Sequence, residues 1–192
     1  MPAKKRITRS AIVETALDIL RSEGWEKINA RRIAHQLQCS TQPIYSEFGS
    51  MEGLKEALKK EAEEVYLLTV SRYRNNPEHT AYMAFGLGFI RFAKEEKELF
   101  RYLYMRDRHG ESKIIEYVNG PDILHVLTES YGFPEEQARG LHHDMSIYSY
   151  GLAVMLNTNY LDMEEAEIKK RLRIEFVALS HAYGLQDLLR DN

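Results

Sequence analysis

Residues 29–48 read NARRIAHQLQCSTQPIYSEF, and this pattern predicts two short helices joined by a tight turn. Asn29 is a favourable N-cap for the first helix, and Ser40 can cap a second helix that begins at Thr41. Apolar residues recur three or four positions apart, and they are Ile33, Ala34 and Leu37, then Ile44, Tyr45 and Phe48. Two such helices at a steep angle form a helix-turn-helix, whose second helix can enter the DNA major groove. An ordinary helical hairpin packed in a core would give the same local pattern.

Helical patterns continue through the rest of the sequence, without a convincing alternating pattern that would predict a β-strand. A first helix is expected from its cap Thr8 to Ser22, ended by Gly24 in the left-handed conformation. Ser50 is expected to cap a long helix at about 51–73. The later helices are expected at about 78–94, 97–107, 112–131 with an interruption at Gly120 and Pro121, 135–157 and 163–189. The predicted fold class is therefore all-α.

The charge of the 192-residue chain is unevenly distributed. Residues 1–50 contain eight Lys or Arg and five Asp or Glu, which gives them a net charge of +3. The whole chain carries −3, so residues 51–192 carry −6. A basic end on an acidic body is typical of a DNA-binding domain followed by a separate second domain. We therefore place a domain boundary near residue 50, between an N-terminal three-helix domain, 1–50, and a larger helical bundle, 51–192.

The cysteine content and the apolar runs indicate the compartment. The single cysteine, Cys39, excludes an internal disulfide and a multi-cysteine metal site, and it fits a reducing cytoplasm. No run approaches 18 apolar residues, so no transmembrane helix is expected. The basic start MPAKKRITRS lacks the apolar stretch of a signal peptide. We expect a cytoplasmic protein.

Catalytic and metal-binding patterns are not recognisable in the sequence. It has no Ser-His-Asp signature, phosphate-binding loop or dinucleotide fingerprint. His142 and His143 are adjacent, and adjacent residues on a helix point about 100° apart, so one ion cannot easily bind both. We therefore predict no enzymatic activity, no cofactor and no metal site, although an enzyme built on a helical bundle is a competing hypothesis.

A combination of short motifs runs through residues 8–58. An amphipathic first helix ends in Glu-Gly-Trp at 23–25, and the helix-turn-helix contains Arg-Ile-Ala at 32–34 and Ile-Tyr at 44–45. The remaining matching positions are Leu37, Ser40, Phe48, Ser50, Glu52 and Leu54. In combination this segment resembles the TetR family of bacterial transcriptional regulators. Beyond it, the resemblance is only an all-helical second part of suitable length.

The resemblance implies which side chains would contact DNA. The implied residues are Thr8, Arg31, Arg32, Ser40, Thr41, Gln42, Pro43, Tyr45 and Ser46, with Lys4, Lys5 and Arg6 as a candidate arm. Arg31 can form two parallel hydrogen bonds with guanine or with a phosphate, and Gln42 can form two with adenine. Since Arg31 and Arg32 are adjacent, one of them must point elsewhere. The alternatives are a solvated helix face for Arg31 and core packing for Tyr45.

Three positions depart from the family pattern. Met51 lies where many members have a lysine that contacts phosphate, although the amide dipole of its helix remains. Glu47 would repel phosphate if it faced DNA, and Gln38 occupies a turn position that is usually glycine. These departures are consistent with modest affinity or an unusual operator.

For the second part, the resemblance implies a ligand cavity and a homodimer formed through the last two helices. Candidate cavity residues are Phe85, Phe89, Phe92, Phe100, Tyr104, Tyr117, Met145 and Tyr148. Two stripes at helical spacing suit a dimer contact, namely Leu141, Met145, Tyr148, Leu152 and Met155, and Ile168, Leu172, Phe176, Leu179 and Tyr183 with Ala178 and Ala182. Alternatively, all these side chains pack inside their own domain.

The predicted function is a ligand-responsive, homodimeric transcriptional regulator that acts at a palindromic DNA operator, and the family resemblance implies a repressor. Its effector would be an unknown small molecule. A two-fold dimer would place two recognition helices about 34–36 Å apart, one turn of DNA. The alternative is a helical protein–protein adaptor with degenerate DNA binding, which the departures at Glu47 and Met51 favour.

Overall fold

The computed structural model describes residues 7–107, 109 and 119–185, and their regular secondary structure is entirely helical. The described helices are α1 (Arg9–Glu23), α2 (Ala30–Gln36), α3 (Gln42–Phe48), α4 (Met51–Arg74), α5 (Ala81–Glu95), α6 (Lys97–Tyr104), α7 (Gly120–His125), α8 (Glu135–Asn157) and α9 (Glu165–Ala182). The predicted all-α class is confirmed. None of the helices in the described ranges combines the length and apolar character needed to cross a membrane.

The chain packs as two compact units. Unit 1 is Met1–Val65 with Glu96–Asp107, and unit 2 is Tyr66–Glu95 with Arg108–Asn192. Unit 1 therefore contains more than residues 1–50, because α6 packs on α1 and a two-pronged ion pair joins Arg21 to Glu96. The predicted functional boundary near residue 50 rested on charge and stays a prediction.

Helix α1 forms the centre of unit 1. Its start agrees with the sequence, because the Thr8 hydroxyl oxygen accepts the Ala11 N–H at 3.2 Å. One face is fully buried, and it consists of Ile12, Ala16, Ile19 and Leu20. Gly24 ends the helix with φ +83°, but its ψ of 165° lies outside the left-handed helical region that we expected. The physical reason is that the chain turns at once into a short 3₁₀ turn, Trp25–Lys27.

The helix-turn-helix comprises α2, a turn and α3. Asn29 caps α2, since its Oδ1 accepts the Arg32 N–H at 2.9 Å. Gln38 adopts φ +53°, so the turn does hold a side chain in the left-handed conformation where glycine is usual. The expected cap at Ser40 is wrong: α3 begins at Gln42, and Thr41 precedes it without a side-chain capping bond among the described residues. Pro43 favours the start of α3 in another way, because its fixed φ is preorganised for a helix and it has no N–H that needs a cap.

Helices α3 and α4 meet closely. Ser50 caps α4 as expected, because its Oγ accepts the Gly53 N–H at 3.1 Å. A Cβ atom at Gly53 would collide with the carbonyl oxygen of Phe48, so only glycine lets the two helix ends approach this far. Helix α4 is also joined to α6, because the Tyr102 hydroxyl donates to the Lys55 carbonyl oxygen at 3.0 Å. The end of α3 is thus held against α4.

Unit 2 is built around the packing of α5 against α8, with α9 and α7 alongside. Asn157 is fully buried on α8, and its Nδ2 donates to the Ala93 carbonyl oxygen of α5 at 2.9 Å. Gly120 and Pro121 begin α7, because proline fits the first turn of a helix. The predicted helical residues 112–118 lie outside the described residues, so the expected interruption at 120–121 stays a prediction. The last helix is shorter than the predicted 163–189: α9 ends at Ala182, because Gly184 adopts φ +72° directly after the C-cap Tyr183.

The two stripes proposed for the dimer contact are mostly core. Leu141, Met145 and Leu152 on α8 and Ile168, Leu172 and Phe176 on α9 are all buried within one copy of the chain. These six residues cannot meet a second copy, so that part of the prediction is wrong, and the alternative of packing inside their own domain is confirmed for them. Met155, Ala178 and Ala182 from the same stripes remain exposed.

Candidate nucleic-acid interface

The second helix of the helix-turn-helix presents polar side chains to solvent. Ile44 is fully buried and fixes α3 against the rest of unit 1. Gln42 and Ser46 are exposed four residues apart, so they share one face of the helix. Tyr45 is 48% exposed, so the alternative of complete burial in the core does not hold for it. The exposed face of α3 could therefore reach the edges of bases.

The other predicted contact residues surround this face. Ser40 is exposed, and Thr41 and Pro43 are half-buried at the start of α3. Thr8 is exposed at the start of α1, where its oxygen caps the helix and its hydroxyl hydrogen remains available for a phosphate. The structure thus places Thr8 and the α3 residues in one small unit, whereas Lys4, Lys5 and Arg6 lie outside the described residues.

The two adjacent arginines of α2 differ. The Arg32 Nε donates to the Glu23 carboxylate at 3.2 Å, and its Nη2 donates to the other oxygen of the same carboxylate. This hydrogen bonding raises the pKa of Arg32 and lowers that of Glu23. Arg31 is exposed and forms no ion pair with any described residue. Arg31 is therefore the arginine of α2 without an ion pair to any described residue, whereas Arg32 could bind another anion only if that anion replaced Glu23.

The departures from the family pattern are also visible. Glu47 is exposed on α3, and no cation in the described part of the chain pairs with its carboxylate. Met51 is half-buried at the start of α4. A carboxylate on this surface would repel a phosphate group, because salt screens charges only weakly at distances shorter than about 10 Å.

Arg9 is a residue of this unit that sequence reasoning missed. Its Nη1 donates to the Glu47 carbonyl oxygen at 2.8 Å, and its guanidinium lies 4.1 Å from the centre of the Phe48 ring. The partners in the hydrogen bond are 38 positions apart along the chain. A pattern read over a single helix cannot reveal such a contact.

The predicted cavity residues are distributed over both units. Phe85, Phe92 and Met145 are buried in unit 2, where Phe89 and Tyr148 are half-buried. Phe100 and Tyr104 are buried in unit 1, and Tyr117 lies outside the described residues. A polar cleft of about 80 Å³ in unit 2 is lined by none of these residues; its walls include Tyr73, Arg91, Lys94 and Glu165. The predicted cavity stays a prediction.

Unit 2 also contains buried polar groups that the sequence did not reveal. Tyr66 packs against Phe89 and Phe92, with ring centres 6.1 and 5.4 Å away. The Asn119 Nδ2 donates to its hydroxyl oxygen at 2.8 Å. The hydrogen bond thus satisfies two buried polar groups in an aromatic environment.

The adjacent histidines of α8 point in different directions. His142 is buried, with Nδ1 3.3 Å from the Tyr82 hydroxyl, whereas His143 is exposed. Burial, and then the charge of His143, lowers the pKa of His142 to about 4. Among the described residues, no group of three or more His, Cys, Asp or Glu side chains could hold a metal ion.

Known proteins that resemble this chain were found by structure and not by sequence. No protein-family model matches the chain, and no curated protein matches it in sequence. A TetR-like transcriptional regulator from Rhodococcus sp. RHA1 is similar in structure, with a TM-score of 0.62 and 12% identity over 89% of this chain and 96% of that one. A substituted TetR from Acinetobacter baumannii AYE, solved in complex with minocycline, is also similar, with a TM-score of 0.56 and 16% identity over 97% of this chain and 96% of that one. The chain therefore has the all-α fold of TetR-like regulators, with a helix-turn-helix near its N-terminus.

Proposed function

We propose that this protein is a sequence-specific DNA-binding transcriptional regulator that acts as a homodimer at a palindromic operator. The observation that carries the proposal is the exposure of Gln42, Tyr45 and Ser46 on α3, while Ile44 holds that helix in place. A short helix with a polar outer face, fixed to a small helical unit, suits insertion into the major groove.

Each exposed side chain has a role in this proposal. Gln42 reads adenine with its amide group, and Ser46 donates to or accepts from a base edge or the backbone. Tyr45 binds a phosphate through its hydroxyl. Arg31 pairs two-pronged with guanine or with a phosphate. Thr41 and Pro43 contact bases at the start of α3, where Pro43 suits a thymine methyl group.

A second surface supports the homodimer. On α8 the outward residues Ile147 and Met155 are 55% and 41% exposed, and on α9 Ile174 and Val177 are 55% and 39% exposed. Large apolar side chains on the outer faces of two packed helices favour burial, at roughly 25 cal/mol per Å² of apolar surface. A two-fold axis would bring the same faces of two copies together and yield two recognition helices.

Ligand response and repression complete the proposal. The A. baumannii TetR was solved with minocycline bound, and the buried aromatic residues of unit 2 suit a flat, largely apolar molecule. In this proposal the dimer has a conformation in which the two recognition helices fit adjacent turns of DNA and another in which their spacing does not fit. A small molecule that binds the second conformation more tightly would weaken DNA binding. The operator would then be released when the effector is present.

Selection from a pool of random DNA duplexes tests the proposal. We expect the purified protein to enrich a palindrome, and Gln42→Ala to cost about 1–3 kcal/mol and to relax the preference at one position in each half-site. The Glu136→Gln variant on α8 is a matched control that should leave the enriched sequence unchanged. Failure to enrich any sequence at any salt concentration would refute the proposal and favour the adaptor, for which the exposed Glu47 is the supporting observation.

A further inference from the structure

We propose that Arg9 is a positioning residue for the recognition helix and not a DNA contact, an inference that rests on the proposed function. An exposed arginine near the basic end of a DNA-binding unit would ordinarily be assigned to phosphate. In this chain, however, the guanidinium binds the carboxyl end of α3 through two separate contacts.

The first contact satisfies a carbonyl group. Helix α3 has only seven residues, so the carbonyl oxygens of its last turn have no partners within the helix. Gly49 donates to the Tyr45 oxygen at 2.9 Å, and Arg9 Nη1 donates to the Glu47 oxygen at 2.8 Å. A cation at this position also complements the partial negative charge of a helix C-terminus.

The second contact is with an aromatic ring. The Arg9 guanidinium lies 4.1 Å from the centre of the Phe48 ring, within the range of a favourable cation–π interaction. On the α4 side, Gly53 allows the Phe48 carbonyl oxygen to approach closely. Phe48 is therefore held between α1 and α4.

The two ends of α3 are held differently. Thr41, at the amino end, provides no side-chain capping bond to the described residues, whereas the carboxyl end is fixed by Arg9 and by the close contact at Gly53. Because Gln42 and Ser46 project from this short helix, a small rotation at its carboxyl end would move them away from base edges. Arg9 therefore acts on base recognition through the orientation of α3.

The test compares Arg9→Gln with Arg31→Gln, which removes the same charge from an arginine without an ion-pair partner among the described residues. Operator and random-sequence affinities are measured from 50 to 200 mM salt. Arg9→Gln should lower the ratio of operator to random affinity by about tenfold, comparable with one charge-assisted hydrogen bond, and leave the salt dependence unchanged. Arg31→Gln should reduce the slope of log K against log salt by about 0.9 if Arg31 binds a phosphate, and it should leave the exchange of residues 45–49 unchanged whether Arg31 binds phosphate or guanine.

Two further measurements separate positioning from stability. Phe48→Leu removes the ring platform and should reproduce the loss of sequence preference, and Arg9→Lys should restore part of it. Amide hydrogen exchange of residues 45–49 in the DNA-free protein should accelerate in Arg9→Gln, together with a fall in the thermal unfolding midpoint of a few degrees, because the lost contact also stabilises the native state. A purely stabilising role would lower that midpoint in the same way but leave the operator-to-random ratio of the folded protein intact, which would overturn the inference.

The remaining outcomes also decide the question. An equal loss of operator and random affinity with a reduced salt slope would overturn the inference and make Arg9 a phosphate contact. If the wild-type protein enriches no DNA sequence, the proposed function fails. Hydrogen exchange in the DNA-free protein still tests whether Arg9 fixes the carboxyl end of α3. Unchanged exchange in Arg9→Gln would then overturn the role of Arg9, and accelerated exchange would support it.

Discussion

Glu23 holds Arg32 by two hydrogen bonds and leaves the neighbouring Arg31 exposed. The two arginines are consecutive on α2, yet among the residues that the structure describes only Arg32 has an ion-pair partner. This ion pair therefore restricts how much positive charge the helix-turn-helix can offer to DNA. It is also partly exposed, so phosphate can compete with the carboxylate for Arg32.

The Glu23→Gln variant should bind DNA more tightly because it frees Arg32 and removes one negative charge. We expect a gain of about fivefold for operator and random DNA alike, because phosphate contacts carry no sequence information. The salt dependence should become steeper by about 0.9 in log–log slope. Titration of both DNAs at several salt concentrations measures this effect. A gain confined to the operator would instead indicate that Arg32 reads a base.

Stability should depend on pH through His142. The pKa of this residue is lowered from 6.5 to about 4 by burial and by His143, so the unfolded chain binds a proton that the folded chain does not. The contribution of neutral His142 to the free energy of unfolding is constant above about pH 6.5, and it is lost as the pH falls from there toward 4. The loss should amount to about 1–3 kcal/mol. Urea unfolding of the wild type and of His142→Asn, compared between pH 7 and 4.5, measures it; an equal decline in both proteins would exclude His142 as the source.

Two glycines in the middle of helices should respond oppositely to alanine. A Cβ at Gly88 would lie 2.7 Å from the Val70 Cα, so Gly88→Ala must push α4 and α5 apart and should cost about 1–3 kcal/mol. A Cβ at Gly151 meets no atom within 4 Å, so Gly151→Ala should stabilise a single copy of the chain by about 0.5–1 kcal/mol through helix propensity. Thermal unfolding of both variants provides the measurement. Destabilisation by Gly151→Ala would mean that something else occupies its open side.

The proposed dimer can be broken without disturbing the core. Ile174→Glu places a charge on the exposed face of α9. In a two-fold symmetric dimer each copy contributes this residue, so the interface would bury two negative charges. We expect the dimer dissociation constant to rise at least about 100-fold, equivalent to about 3 kcal/mol, with the helical content unchanged. Light scattering after size-exclusion chromatography measures the mass. Leu68→Glu, at a 61% exposed apolar position on α4, is the matched control and should remain dimeric.

Local patterns in the sequence determined most of the helices. Thr8, Asn29 and Ser50 cap the helices expected of them, and α8 has the predicted limits because Pro134 precedes it and its apolar spacing is regular. Capping and periodicity depend on residues only three or four positions apart. The turns were less predictable, since the conformation of Gly24 and the start of α3 depend on how the neighbouring segments pack within unit 1.

The sequence by itself therefore determined the helical class, the position of the helix-turn-helix and the residue types on α3. The tertiary structure decided which side of α8 and α9 is buried, and that Arg32 pairs with Glu23. It also decided that Arg9 binds the carboxyl end of α3. The physical reason is distance along the chain. Helix formation is dictated by neighbouring residues, whereas Arg9 and Glu47 are 38 positions apart and meet only when α1 and α3 pack together.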